Sequence, residues 1–220
     1  MRKTEKIAKP PILVANDVQW TQELVAAEKG TSQFKEIESR YGHEEIRSTL
    51  REETYSKCVY CESYIDGVSF PHIEHILPKH SHTDLTFEWD NLTLACPACN
   101  TYKGIGEPTN NNFIHPYADA PEDRFHFIGS LIAPTGSDIA AKNMVNWLRL
   151  NRGGLVIDRA DIVLRVIGIY LEAITLPLEA RREFIDLSIE PLKAPNARFS
   201  RVAECAATLC EEQYHDALVA

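Results

Sequence analysis

Apolar residues recur at three- and four-residue intervals through both ends of the chain, and this spacing predicts helices over about 17–29, 31–40 and 43–56, then over 144–150, 157–175, 178–188 and 200–217. Asp17 and Thr31 stand where N-caps belong. Between the two helical blocks the pattern changes. HIEHILPK reads as an extended segment closed by Pro78, DNLTLAC alternates as a strand does, and CPACNTYKG opens a helix with Asn100 and Lys103 on neighbouring faces. A stretch rich in Pro, Gly and Asn runs from Gly104 to Pro116, and FIHPYADAPEDRFHFIGSLIAP reads as irregular chain leading into a short hairpin. The opening MRKTEKIAKPP is a basic, proline-ended arm with no core of its own. With no repeat, low-complexity tract or strong break, the expected organisation is one compact unit over 1–220. It comprises an N-terminal arm and helices over 1–57, a central core over 58–116, and a C-terminal hairpin and helices over 117–220.

Composition adds bounds. The 220 residues, 44% hydrophobic and 25% charged, suffice to bury a sizeable core. No run is apolar enough to span a bilayer and no hydrophobic stretch follows the basic start, so no membrane role and a cytoplasmic location are expected. The net charge of −9 is zero over 1–57, −4 over 58–104 and −5 over the remainder. Such a balance argues against an unaided grip on nucleic acid. Either a local arginine row, Arg149, Arg152, Arg159 and Arg165, supplies the grip, or a partner delivers the substrate; the partner is favoured, because a helical arginine row is more often a solvated face.

The candidate chemistry lies between Cys58 and Lys103. Cys58 and Cys61 form one CxxC knuckle and Cys96 and Cys99 another, a spacing at which four thiolates complete a closed, structural Zn²⁺ site. A redox pair or disulfides are the alternatives, but the thioredoxin-like strand-to-helix context and a secretory signal are both missing. Cys205 and Cys210, in an alanine-rich helical stretch, read as packing residues. The insert between the knuckles holds an acid-histidine pair on the first strand, Glu74 and His75, and an amide on the helix, Asn100. Phe87, Trp89 and Leu92–Leu94 supply a small core, with Tyr60 beside the knuckle. His72 lies an odd number of positions from His75 and so faces the other side of the strand, while His80 and His82 fall in a loop.

This segment resembles the HNH endonucleases, in the variant that ends in asparagine. The resemblance implies an α+β fold: a mainly helical frame around a zinc-stapled ββα-metal (HNH) nuclease core. By the family's pattern Glu74 and Asn100 hold a catalytic Mg²⁺ or Mn²⁺, His75 is the general base, and Asn91 orients the His75 ring through a hydrogen bond. The first ligand is more often Asp than the Glu found here. Lys103, one helical turn from Asn100, is placed to meet phosphate.

The start MRKTEKIAKPP, CVYCE, HIEHILPK, FEWDNL, CPACNTYKG, FIHPY, FHFIG and LRLNRGGL are similar to the HNH nuclease subunit of Septu-type anti-phage systems, the PtuB-like group that also accompanies some retrons. That likeness spans residues 1 to about 165 and implies an ABC/SMC-like, PtuA-like ATPase partner and a nucleic acid substrate, DNA by default with RNA open. His115 returns near the site, with a packing or turn role expected. The competing class is a zinc-stabilised adaptor for nucleic acid or protein that does no cutting; it would need the four cysteines but not Glu74, His75, Asn91, Asn100 and Lys103 together.

Overall fold

In the computed structural model, residues 1–65 and 70–219 are described. Helix α1 (Pro11–Ala26) starts on proline, whose fixed φ suits the first turn and whose missing N–H would have no partner there. Asp17 lies inside this helix and pairs with Lys9 at 2.6 Å, so it is not the cap. Thr31 is a cap as expected: its hydroxyl accepts the Phe34 N–H at 3.2 Å to open α2 (Ser32–Ser39). Helix α3 (Glu44–Thr54) follows, and Leu13, Leu24, Phe34, Ile37, Ile46 and Leu50 bury the inner faces of all three.

Strands β1 (His72–His75) and β2 (Leu92–Ala95) pair antiparallel, with Glu74 opposite Thr93 and His75 opposite Leu92. Helix α4 (Pro97–Lys103) leaves β2 directly, giving the β-β-α order. α3 covers β2 and α4 packs on β1, while Phe87, Leu92 and Leu94 are fully buried beneath the hairpin and Trp89 nearly so. Beyond α4 the chain turns at Gly104, at φ 55°, and Gly106 lies against Trp147: a Cβ there would sit 2.4 Å from the indole.

A short helix, α5 (Pro121–Arg124), precedes the second antiparallel hairpin, β3 (Phe125–Ile128) with β4 (Leu131–Pro134). Helix α6 (Ile139–Trp147) begins earlier than its apolar spacing indicated, because the Asp138 carboxylate accepts the Ala141 N–H at 2.9 Å. Helices α7 (Gly153–Ala173), α8 (Leu178–Lys193) and α9 (Ser200–Val219) pack on one another, and α9 also packs on β3. Among the described residues the architecture is therefore α+β, helices around two small sheets. Among the described residues no helix is long and apolar enough to cross a membrane.

The N-terminal arm does not stand free. Lys6 Nζ lies 4.0 Å above the Trp89 ring and donates to the Leu92 carbonyl at 2.6 Å; the Trp89 indole donates to the Ile7 carbonyl at 3.0 Å. The buried Glu53 of α3 accepts from the Ile7 N–H, Lys6 and the Tyr117 hydroxyl. The arm thus borrows a core from the β1–β2 region.

Candidate functional site

All four knuckle cysteines are buried, and their sulfur atoms lie within 4.8 Å of one another. Cys61 Sγ and Cys96 Sγ are 3.9 Å apart, close to the edge of about 3.8 Å that Zn–S bonds of about 2.3 Å give in a tetrahedron. The donor set therefore fits zinc. Four thiolates around a dication leave excess negative charge, and the structure supplies its offset in Arg152, at the N-terminus of α7. Its guanidinium nitrogens lie 3.5 Å from Cys99, 3.7 Å from Cys96 and 3.8 Å from Cys61. Burial alone would depress this arginine's pKa, but the sulfurs of Cys99 and Cys61 hold it above the ordinary value.

A cleft of about 270 Å³ opens on the other side of α4. Glu74, His75 and Asn100 line it, with Lys79 and His80 from the loop after β1, Glu38 from the last turn of α2 and Tyr41 from the single 3-10 turn that follows it. The cleft thus collects one carboxylate, one imidazole and one amide from β1 and α4. His75 is buried, packs edge-on against Tyr41 at 4.7 Å, and places Nε2 3.0 Å from the Thr86 carbonyl. A carbonyl only accepts, so in the neutral ring Nε2 carries the hydrogen and Nδ1 keeps the lone pair. Burial, with Lys79 and Lys103 nearby and only the Thr86 bond opposing, lowers the His75 pKa to about 4.

Glu74 Oε1 receives Lys103 Nζ at 2.8 Å and the Tyr60 hydroxyl at 3.5 Å, leaving Oε2 with no hydrogen-bond partner among the described residues. Asn100 Nδ2 lies 2.7 Å from His72 Nδ1, which leaves Oδ1 as the amide's ligating atom. A carboxylate oxygen and an amide oxygen beside an open cleft are donors suited to a hard divalent ion that keeps most of its water.

Three expectations need correction. Lys103 does not face the cleft as a phosphate contact: it is buried, bound to Glu74 and to the His75 carbonyl at 2.8 Å, because it lies four residues from Cys99 on the inner face of α4. Asn91 makes no hydrogen bond to His75. Its side chain accepts the Leu77 N–H at 2.7 Å and donates to the carbonyls of Leu77 and Leu85, pinning the loop that presents Thr86. The arginines form no continuous face: Arg152 turns to the cysteines, and Arg159 is fully buried over Phe127, donating to the Leu150 carbonyl at 2.7 Å. Only Arg149, stacked 4.7 Å over Tyr102, and Arg165 remain exposed. His72 faces away from His75 as expected, and by the same alternation it shares Glu74's side of the strand and reaches Asn100. His115 Nδ1 accepts the N–H groups of Tyr117 and Ala118, a turn role, outside the cleft.

Residues 58–105, which contain all nine of the sequence-identified site residues, match the family described as HNH endonuclease. Over 198 aligned positions the chain is 31% identical to the Septu protein PtuB of Bacillus mycoides (strain KBAB4), covering 74% of this chain and 67% of that protein. The chain belongs to the PtuB family. A Septu protein PtuB of Bacillus thuringiensis is likewise 31% identical, over 144 residues that cover 65% of this chain and 52% of that protein, so the chain spans about half the length of that relative. Glu38, Tyr41 and Thr86 were not foreseen as parts of the site; two come from outside the HNH segment and the third contributes only a backbone carbonyl.

Proposed function

We propose that the chain is a metal-dependent endonuclease that hydrolyses phosphodiester bonds as the effector of an anti-phage defence complex. The observation that carries this reading is the His75 ring: bonded through Nε2 to the Thr86 carbonyl, it keeps its lone pair on Nδ1, and the residue lines the same cleft as Glu74 and Asn100. His75 takes a proton from water as the water attacks phosphorus, and burial keeps the ring neutral and ready at physiological pH. Mg²⁺ or Mn²⁺, held by Glu74 and Asn100, would neutralise charge building on the phosphoryl and leaving oxygens. Lys103 pins the His75 backbone and neutralises part of Glu74 from below. Asn91 acts at one remove, by ordering the Thr86 loop.

Zinc is the proposed occupant of the cysteine cluster, and a reducing compartment such as the cytoplasm keeps its thiols available. DNA is the proposed substrate, on the pattern of the HNH enzymes. A PtuA-like ATPase is the proposed partner, supported by the family and by a net charge of −9 that leaves the chain little grip of its own.

The test is cleavage of supercoiled plasmid and of total RNA, with Mg²⁺ or chelator, by wild type and His75→Ala, each alone and with the neighbouring ATPase. His75→Ala is expected to lose about 10²–10⁴-fold of plasmid cleavage while keeping zinc and fold. Binding to nucleic acid with no His75-dependent cutting would favour the adaptor reading instead.

A further inference from the structure

Helix α7 carries two apolar seams. One, through Leu155, Ile162, Val166 and Tyr170, is buried within the packing of α7, α8 and α9. The other consists of Ile157, Ala160, Leu164, Ile167, Leu171 and Ile174, separated alternately by three and four residues. Ile157 and Leu164 are each 66% exposed and Leu171 45%, one heptad apart along the open face, while Ala160, Ile167 and Ile174 are half-buried at its edge, with Ile167 packed against the core. Single exposed aliphatic residues need no explanation. A 3.5-residue recurrence sustained for about 26 Å is what a second helix in a left-handed supercoil requires.

The edge of the seam specifies the occupant further. Asp158, Asp161 and Glu172 flank it with Arg165 as the one cation, and Gly168 leaves open space where a Cβ would stand. We propose that this seam docks an amphipathic helix of another protein, with apolar residues at heptad spacing and Lys or Arg along the edge that meets Asp158, Asp161 and Glu172. A second copy of this chain would set acidic flank near acidic flank. A membrane surface suits helices with basic rather than acidic polar faces. The inference rests on the proposed function only in naming the ATPase as the natural source of that helix.

The experiment uses the full chain and two synthetic three-heptad helices, identical at their apolar positions but carrying Lys or Glu at the flanks. Fluorescence anisotropy is expected to show at least tenfold tighter binding of the Lys peptide, lost in Leu164→Lys and retained in the α8 control Leu187→Lys, whose side chain is at least as exposed. Equal binding of both peptides, no binding, or binding that survives Leu164→Lys overturns the proposal. So does a wild-type dimer in light scattering that Leu164→Lys dissociates, or binding of the chain to anionic vesicles that Leu164→Lys abolishes. Co-purification with the ATPase is a separate arm. Its failure with wild type counts against the partnership in the proposed function, while the peptide result still decides the seam.

Discussion

Lys103 and Glu74 form an ion pair with side chains 1% and 4% exposed, so each is the other's main compensation for lost water. Lys103→Met removes the cation but not the buried carboxylate. It is expected to destabilise the fold by about 3–5 kcal/mol in urea denaturation, whereas a solvent-facing phosphate contact would cost almost no stability. The cleft's acid limb follows from two neighbours. Burial raises the Glu74 pKa, with Lys103 opposing, and lowers that of His75 to about 4. As pH falls, Glu74 therefore gains its proton first, which would weaken its hold on the proposed divalent ion, and His75 loses its basic form only near pH 4. Cleavage profiles at rising Mn²⁺ should show an acid limb that moves to lower pH and stops near 4; a limb fixed near 6.5 at every Mn²⁺ concentration would mean that the base is not a buried His75. Much of this residue-scale picture was legible. Glu74, His75 and Asn100 announce themselves by residue type and order, and the burial of Lys103 was readable from its four-residue spacing to Cys99. The Thr86 contact was not, because every residue has a carbonyl and only the fold selects which one faces a ring.

At the scale of elements, the loop between β1 and β2 is the part that must be held, since it carries Thr86 to His75. Asn91 closes it with three hydrogen bonds to Leu77 and Leu85. Asn91→Ala leaves those backbone groups short of partners and is expected to cost about 2 kcal/mol or more. Its signature is local: faster hydrogen exchange at the Leu77 amide and a lower kcat with little change in KM, while the cysteine cluster keeps its metal. An unchanged Leu77 amide would show that the loop is ordered by something else. The same scale explains which boundaries could be read. Thr31 was visible because a hydroxyl before an apolar-periodic run is a strong cap signal. The start of α1 was misread because Asp17 offers the same signal inside a helix that Pro10 and Pro11 had already opened, and α6 because its Asp138 cap precedes the apolar spacing by several residues. The middle of each helix depends on periodicity and survives such errors; its ends depend on a single competing side chain.

Across the whole molecule, the cysteine cluster and the C-terminal helices meet through one arginine. Arg152 opens α7 and reaches three of the four sulfurs, and Arg159, about two turns further on, is buried between Phe127 of β3 and Phe199 at the entry to α9, and so ties α7 to both. The sequence shows both arginines but not their direction, since a helical row reads equally well as a solvated face until α9 and the hairpin of β3 and β4 are packed against it. The N-terminal arm adds a second tie, from Lys6 and Ile7 to Trp89, Leu92 and Glu53. With these ties, removal of zinc should not unfold the β1–β2–α4 segment alone. Four buried thiols without a cation would leave Arg152 facing sulfurs that regain their protons, and the start of α7 would lose its anchor. Chelation is therefore expected to lower the melting temperature of the entire chain in one transition, seen alike by circular dichroism of the helices and by tryptophan fluorescence, and Arg152→Gln should weaken zinc retention while shifting the same transition. Two separated transitions after chelation, with α7 to α9 melting unchanged, would show instead that residues 117–220 fold independently and that the single unit proposed for 1–220 is wrong.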